Sequence, residues 1–302
     1  FTPAKPGDYI LKRNAQSSVF FLWTGGILIC LLAVLLALIL SSCGSGENVP
    51  ITTPTVESAA PTDETGDPTG GDVGTGDPGS ETSDPGTVPS AAPSTVLGET
   101  ADAGQSYIDS LTFLGDSTTY GLWYYEVLTG GRNTEQVWTP ASGTLTLSNY
   151  ATATVEYPRP GSGNEISIQE AARQKQPEYL VITLGVNGVS FMDEETFKSC
   201  YTDLINNILE VSPNTKIICN SIYPNMPSYA YYSEINNDNI TRANGWIQDV
   251  AAATGTRYAD SCSVLKDESG ALRAEYCNGD GLHLNADGFN AVLGYLRTHA
   301  YQ

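Results

Sequence analysis

The stretch Leu111-Thr112-Phe113-Leu114-Gly115-Asp116-Ser117 decides the fold. Its first four residues are an apolar run as long as a short buried strand, and the run stops at Gly-Asp-Ser. A helical pattern follows directly, from Thr118 to about Leu128. A buried strand that leads at once into a helix is typical of a parallel sheet covered by helices. The turn also places the hydroxyl of Ser117 at the carboxyl edge of the predicted sheet.

The rest of residues 105–302 continues this alternation. Further strands are predicted at 136–138, 179–184, 216–222 and 256–260, and helices at 194–211, 241–254 and 286–298. Continuous apolar strands are buried on both faces, which requires helices on both sides of the sheet. The sequence therefore predicts an α/β domain with three α/β/α layers and a mostly parallel sheet. In such sheets, ligands bind beyond the carboxyl ends of the strands.

The N-terminal part of the chain has a different composition. Residues 1–18 hold three basic residues against one acidic residue, and residues 19–40 are 22 positions without a charge. A run of that length can cross the roughly 30 Å hydrocarbon core of a bilayer as one helix. Basic residues precede the run, and none follows it before Arg132. The positive-inside rule therefore predicts a cytoplasmic tail at 1–18, a transmembrane helix at 19–40, and an outer location for the rest.

The end of the apolar run supports a second interpretation. Leu40-Ser41-Ser42-Cys43 resembles the bacterial lipoprotein processing signal, in which the cysteine is lipidated and becomes the N-terminus. The run is longer than the usual signal core of about 7–15 residues, which favours an uncleaved helix. Both interpretations attach the chain to a membrane, through residues 19–40 or through Cys43, with the folded domain outside.

Residues 41–104 are predicted to be a disordered linker. They contain 11 acidic residues, 8 prolines and no basic or aromatic residue. Such a stretch buries too little apolar surface to offset its ordering entropy, and its charges and prolines keep it extended. The full chain has a formal net charge of −20. That charge argues against nucleic acid as a partner, because phosphate binding requires a basic face.

Ser117 is a candidate nucleophile at the ligand-binding edge, although serine is also a favoured helix N-cap. A serine nucleophile requires a base, most often histidine, and the chain has two histidines. His299 lies in the last predicted helix, whereas His283 lies in a glycine-rich loop just before that helix. Asp280, three residues earlier, can accept from Nδ1 of His283 and stabilise the imidazolium once it forms.

Two further residues could stabilise the oxyanion that forms when an ester carbonyl is attacked. Asn187 follows the strand at 179–184 and could donate from its side-chain amide. Gly143 follows the strand at 136–138, and a glycine lets a backbone N–H approach a substrate oxygen closely. Each has a simpler interpretation, Asn187 as a turn residue and Gly143 as an ordinary loop glycine.

In chain order, these residues form four blocks that resemble the SGNH hydrolases, also called GDSL esterases and lipases. The blocks are Gly-Asp-Ser at 115–117, Gly143 after the second strand, Gly-x-Asn at 185–187, and Asp-x-x-His at 280–283. The resemblance covers essentially all of residues 105–302. It implies a flavodoxin-like fold and ester hydrolysis by a Ser-His-Asp triad.

The resemblance also implies a role for each residue. Ser117 would be the nucleophile, His283 the base and Asp280 the residue that orients it. The oxyanion donors would be the N–H of Ser117, the N–H of Gly143 and the side chain of Asn187. The third block of the family commonly reads Gly-x-Asn-Asp, and here Gly188 replaces the aspartate. That change removes a side chain that could support the loop of Asn187.

The expected activity is a membrane-anchored extracellular serine esterase that hydrolyses acyl esters, in particular acetyl esters on cell-wall or other glycans. The same triad would serve an O-acyltransferase, and a domain without catalysis would be a glycan-binding module. No cofactor is expected, and no C-x-x-C or histidine cluster suggests a metal. A disulfide between Cys262 and Cys277 is possible outside the cytosol, and the alternative is that both thiols stay reduced and buried.

Overall fold

The computed structural model describes residues 94–302. The predicted tail at 1–18, the predicted span at 19–40, Cys43 and most of the predicted linker lie outside the described residues. Within residues 94–302, none of the helices combines the length and hydropathy that crossing a membrane requires.

Seven strands and six α-helices make up the described part of the chain. The strands are β1 (Leu111–Gly115), β2 (Val137–Trp138), β3 (Thr154–Glu156), β4 (Glu165–Ser167), β5 (Tyr179–Thr183), β6 (Lys216–Asn220) and β7 (Arg257–Ala259). The helices are α1 (Gly104–Ser110), α2 (Ser117–Tyr124), α3 (Ile168–Lys175), α4 (Glu194–Val211), α5 (Asn237–Thr254) and α6 (Ala286–Thr298). The sequence did not predict α1, α3 or the antiparallel pair β3–β4.

Five strands form one parallel sheet in the order β2-β1-β5-β6-β7, which confirms the predicted α/β fold with a mostly parallel sheet. The chain steps from β1 outward to β2, and then in the opposite direction through β5, β6 and β7. The order therefore reverses between β1 and β5. The carboxyl ends of strands at such a reversal are where open α/β sheets bind their ligands.

Strand β1 lies between β2 and β5, and all five of its residues are buried. Leu114 packs into a core on one side, together with residues of α3, α4 and α5. Leu111 and Phe113 pack on the other side, with residues of α1, α2 and α6. The alternation of side chains along the strand thus produces the predicted three layers.

The described fold begins before the predicted boundary at residue 104. Val96 forms a parallel bridge with Tyr258 of β7, and the N–H of Leu97 donates to the carbonyl of Tyr258 at 2.8 Å. Leu97 is buried, with 5% of its surface exposed. The assignment of residues 94–104 to the linker is therefore wrong. Val96 and Leu97 are two apolar residues among polar neighbours, and they extend the edge of the sheet beside β7.

Gly115 ends β1 without a side chain because there is no room for one. A Cβ at this position would lie 2.0 Å from Oγ1 of Thr119 and 2.7 Å from the carbonyl oxygen of Thr183. The glycine lets the first turn of α2 sit directly against β5. This close packing fixes the position of the residues that follow it.

The expected disulfide between Cys262 and Cys277 is not formed. All four cysteines among the described residues are free thiols, and Cys262 and Cys277 are both buried. Sγ of Cys262 lies 3.1 Å from Oδ1 of Asp260, to which it donates. Sγ of Cys277 accepts hydrogen bonds from its own loop. The structure agrees with the alternative that both thiols are reduced and buried. Each sulfur makes hydrogen bonds with neighbouring groups.

Candidate active site

Ser117 is the first residue of α2 and follows β1 after one intervening residue. The N-cap of that helix is Asp116, whose carboxylate accepts from the N–H of Thr118 at 2.9 Å and from its hydroxyl at 2.7 Å. The alternative interpretation of Ser117 as the cap is therefore wrong. Because its neighbour supplies the cap, the hydroxyl of Ser117 is free to meet His283, whose Nε2 lies 2.9 Å from Oγ.

The ring of His283 is held from its other side by Asp280. Nδ1 of the ring lies 2.7 Å from Oδ2 of Asp280, and Oδ1 accepts from the backbone N–H groups of Leu282 and His283, each at 2.8 Å. Partial burial by itself would raise the pKa of Asp280, but the backbone N–H groups and the His283 ring outweigh it and lower the pKa. An ionised Asp280 selects the tautomer with hydrogen on Nδ1, which leaves Nε2 able to accept the proton of Ser117.

The loop that carries His283 is braced by its own side chains. Sγ of Cys277 accepts from the N–H of Gly279 at 3.3 Å and from the N–H of Gly281 at 3.2 Å. The N–H of Asn278 donates to the carbonyl of His283 at 2.9 Å. The reduced thiol of Cys277 thus helps to hold the loop of His283 in place.

The structure brings the expected oxyanion donors close to Ser117. A Cβ on Gly143 would lie 3.8 Å from Cβ of Ser117, and Gly143 has a φ of +73°, which favours glycine. Its N–H donates to the carbonyl of Pro140 at 2.9 Å. The side-chain nitrogen of Asn187 donates to Oδ2 of Asp116 at 2.9 Å and to the carbonyl of Leu145 at 3.2 Å.

The three donors differ in whether they already have a hydrogen-bond acceptor within the protein. The N–H of Ser117 lies at the first turn of α2, where no helical carbonyl can accept it, and it has no acceptor among residues 94–302. The N–H of Gly143 and the amide of Asn187 already have protein acceptors, so they can bind an oxyanion only by sharing or exchanging those bonds.

Asp116 is a site residue that the sequence analysis missed. It is completely buried, and burial raises its pKa to about 6, although its bonds to Thr118 and the charge of His283 act in the opposite direction. Through Oδ2 it joins the start of α2 to Asn187. The available signal was its position before a helix, where aspartate is a favoured cap.

The loop of Asn187 is supported without the family's usual aspartate. Residues Val186–Gly188 form one 3₁₀ turn, and the N–H of Met192 donates to the carbonyl of Gly188 at 2.9 Å. A Cβ at position 188 would lie 2.7 Å from Sδ of Met192. The buried thioether therefore fills the space beside Gly188, and Asp116 and Leu145 fix the amide of Asn187.

The remaining candidates lie apart from this site. His299 stacks on Tyr295 at a ring distance of 3.8 Å, beyond the end of α6, and takes no part in it. Within residues 94–302, no three His, Cys, Asp or Glu side chains are grouped so as to hold a metal ion.

Comparison with known proteins identifies a family. The profile of the GDSL-like lipase/acylhydrolase family matches residues 113–291, a range that contains Ser117, Gly143, Asn187, Asp280 and His283. No curated protein matches the chain.

Several solved structures are similar to the chain at low identity. A GDSL-like lipase from Bacteroides thetaiotaomicron is 18% identical, with 65% of this chain and 88% of that chain covered and a TM-score of 0.43. An acetyl xylan esterase from Geobacillus stearothermophilus is 16% identical, with 64% and 94% covered and a TM-score of 0.43. A lipase from a goat rumen metagenome is 18% identical, with 63% and 97% covered and a TM-score of 0.42. The family profile matches more than half of this chain. The chain therefore belongs to the GDSL-like lipase/acylhydrolase family, a family of ester hydrolases.

Proposed function

We propose that the chain is a serine ester hydrolase in which Ser117, His283 and Asp280 form the catalytic triad. One observation carries the proposal: Oγ of Ser117, the ring of His283 and the carboxylate of Asp280 form a continuous row, with contacts of 2.9 and 2.7 Å. A hydroxyl with an imidazole at hydrogen-bonding distance, itself oriented by a carboxylate, is the arrangement that activates a serine.

The reaction follows from these positions. Nε2 of His283 takes the proton of Ser117 while Oγ forms a bond to the ester carbonyl carbon. The N–H of Ser117, the N–H of Gly143 and the amide of Asn187 stabilise the oxyanion. As the tetrahedral intermediate collapses, the bond from carbon to the alcohol oxygen breaks, and His283 gives its proton to that oxygen. Water then attacks the acyl carbon on Ser117 while His283 takes a proton from it. The bond from that carbon to Oγ breaks, His283 returns the proton to Oγ, and the acid leaves.

The site is open enough for water to reach the acyl group. The side chains of His283 and Asp280 are 30% and 45% exposed. This exposure favours hydrolysis, although it does not prevent another hydroxyl from taking the place of water.

We further propose that the enzyme is attached to a membrane and acts on esters at the cell surface. An anchor at residues 19–40, or a lipid on Cys43, together with the acidic linker, would hold the domain outside a bacterial membrane. Acyl esters of surface glycans, in particular acetyl esters, would then be within its reach.

Labelling with a fluorophosphonate probe tests the nucleophile without knowledge of the substrate. The full chain should be labelled, Ser117→Ala should not be labelled, and Ser148→Ala, an exposed serine outside the triad, should be labelled like the wild type. Equal labelling of the wild type and Ser117→Ala would overturn the proposal.

A further inference from the structure

A loop of fixed shape lies beside the catalytic loop. Residues 225–236 are the second part of the connection between β6 and α5. Two hydrogen bonds between Asn225 and Asn237, the first residue of α5, at 2.9 and 2.8 Å, join the ends of this loop. Inside the loop, the N–H of Tyr229 donates to the carbonyl of Met226, and the N–H of Ile235 donates to the carbonyl of Tyr231, each at 2.9 Å. These bonds give the loop a defined conformation.

This loop docks on the residues that precede His283. The N–H of Met226 donates to the carbonyl of Gly281 at 2.7 Å. A Cβ on Gly281 would lie 2.9 Å from the backbone nitrogen and Cα of Tyr229, and Gly281 has a φ of +89°. Burial, followed by the negative charge of Asp280, raises the pKa of Tyr229. The two loops are therefore in direct contact within a few residues of the triad.

The docked loop presents two aromatic rings, which we call the tyrosine ledge: Tyr229 and Tyr231. Their centroids are 5.8 Å apart at an interplanar angle of 67°, and Tyr231 is 59% exposed. An exposed aromatic ring in a loop of fixed shape offers a flat surface on which a ligand can pack. Trp123 and Tyr124 differ from the ledge, because the guanidinium of Arg132 lies 4.3 and 5.0 Å from their ring centres and covers one face of each.

The chemistry of the triad decides which part of an ester reaches the ledge. His283 must protonate the alcohol oxygen as it leaves, so the alcohol departs on the His283 side of Ser117. The carbonyl oxygen points to the other side, toward Gly143 and Asn187. Because Tyr229 contacts Gly281 in the loop of His283, we assign the ledge to the alcohol side.

Building on the proposed function, we propose that the tyrosine ledge binds the alcohol portion of the ester and that this alcohol is a sugar. A sugar ring has a face of C–H groups that packs on an aromatic ring, and its hydroxyls stay in contact with water when the site is open. Tyrosine offers a rigid amphipathic surface of this kind, with few rotatable bonds to order. A long apolar alcohol would instead gain most in an enclosed groove.

Two acetyl esters of primary alcohols test the inference: 6-O-acetylglucose and ethyl acetate. They share the acyl group and the type of alcohol, and they differ in the sugar ring. With the full chain in detergent, acid release at constant pH gives kcat/KM for each ester. We expect the wild type to prefer the sugar ester, and Tyr231→Ala to reduce that preference about fivefold to tenfold, mainly through KM.

Two further variants separate a lost ring from a disturbed loop. Tyr231→Phe keeps the ring and should retain the preference within about twofold, whereas Tyr124→Ala removes a half-exposed tyrosine elsewhere and should also retain it. A wild type without preference, or a preference unchanged in Tyr231→Ala, would overturn the inference while fluorophosphonate labelling of Ser117 upholds the proposed function. A chain whose Ser117 is not labelled would overturn both.

Discussion

The side-chain amide of Asn187 donates to Oδ2 of Asp116 across 2.9 Å and joins two residues 71 positions apart. Asp116 also caps the helix that begins with Ser117. The bond therefore fixes the loop after β5 against the start of α2, at the point where the strand order reverses. The carboxylate that accepts this bond is fully buried, and burial raises the pKa of Asp116 to about 6.

The raised pKa of Asp116 predicts a pH-dependent gain in stability for Asp116→Asn. The folded state binds this proton more tightly than the unfolded chain does, where the pKa is about 3.8. The stabilising contribution of Asp116 is therefore complete below pH 3.8 and is lost as the pH rises through 6. At about 1.4 kcal/mol per pKa unit, the loss is about 3 kcal/mol at most.

Denaturant unfolding at several pH values between 4 and 7 measures this effect. The difference in unfolding free energy, Asp116→Asn minus wild type, should grow across that range, because the asparagine does not titrate. Hydrogen bonds lost by the substitution shift the difference equally at every pH. A difference that stays constant with pH would show that Asp116 does not titrate in this range.

Asp280→Asn should lower kcat by about 10³–10⁴-fold. Oδ1 of Asp280 accepts two backbone N–H bonds, so the amide oxygen of an asparagine would take that position and its NH₂ group would face Nδ1 of His283. The ring would then carry its hydrogen on Nε2 and could not accept the proton of Ser117. Steady-state kinetics on an activated acetyl ester measures the loss.

Asp287→Asn is the matched control for that change. Asp287 is exposed in the first turn of α6, outside the proposed triad, so this variant should keep the wild-type kcat. Near-normal activity of Asp280→Asn would contradict the orienting role of Asp280.

Asn187→Ala should lower kcat by about 10²–10³-fold with a small effect on KM, which is the usual result when one oxyanion donor is removed. Asn149→Ala removes an exposed amide from the neighbouring loop and should have no such effect. Steady-state kinetics of both variants on the same ester provides the comparison. If kcat of Asn187→Ala falls less than tenfold, the amide serves to hold Asp116 and does not stabilise the oxyanion.

Much of this architecture could be predicted because it is encoded locally. The run from Leu111 to Ser117 carries its own pattern of burial and its own turn, and five parallel strands follow from such patterns. The short strands of β3 and β4 have three residues each, which is too few for a hydrophobic period to be recognised. The segment around Val96 was missed because it pairs with β7, which lies far along the chain.

The residues of the candidate site could be named from the sequence, but the hydrogen bonds that connect them could not. Ser117 and His283 are 166 positions apart, and only the order of motifs suggested that they meet. The burial of Asp116 depends on how β1, α2 and the loop after β5 pack together, so composition around Asp116 does not reveal it. The bonds of Gly143 to Pro140 and of Asn187 to Leu145 likewise depend on the folded paths of two loops.

Two glycine-to-alanine changes in helices should have opposite effects on stability. A Cβ on Gly121 in α2 would lie 2.2 and 2.5 Å from ring atoms of Phe289, which is buried in α6. A Cβ on Gly245 in α5 would meet nothing within 4 Å. Alanine is the better helix former by about 1 kcal/mol, whereas overpacking a core costs about 1–3 kcal/mol. Gly245→Ala should therefore raise the unfolding free energy, and Gly121→Ala should lower it by up to about 2 kcal/mol.

A second substitution shows whether the contact with Phe289 causes the loss. Phe289→Leu removes ring atoms next to Gly121, so the double variant with Gly121→Ala should be less destabilised than the sum of the two single changes. Unfolding of the four proteins in denaturant gives the coupling. Strict additivity would mean that the two helices separate to admit the methyl group, and that the close crossing of α2 and α6 does not require a glycine beside Phe289.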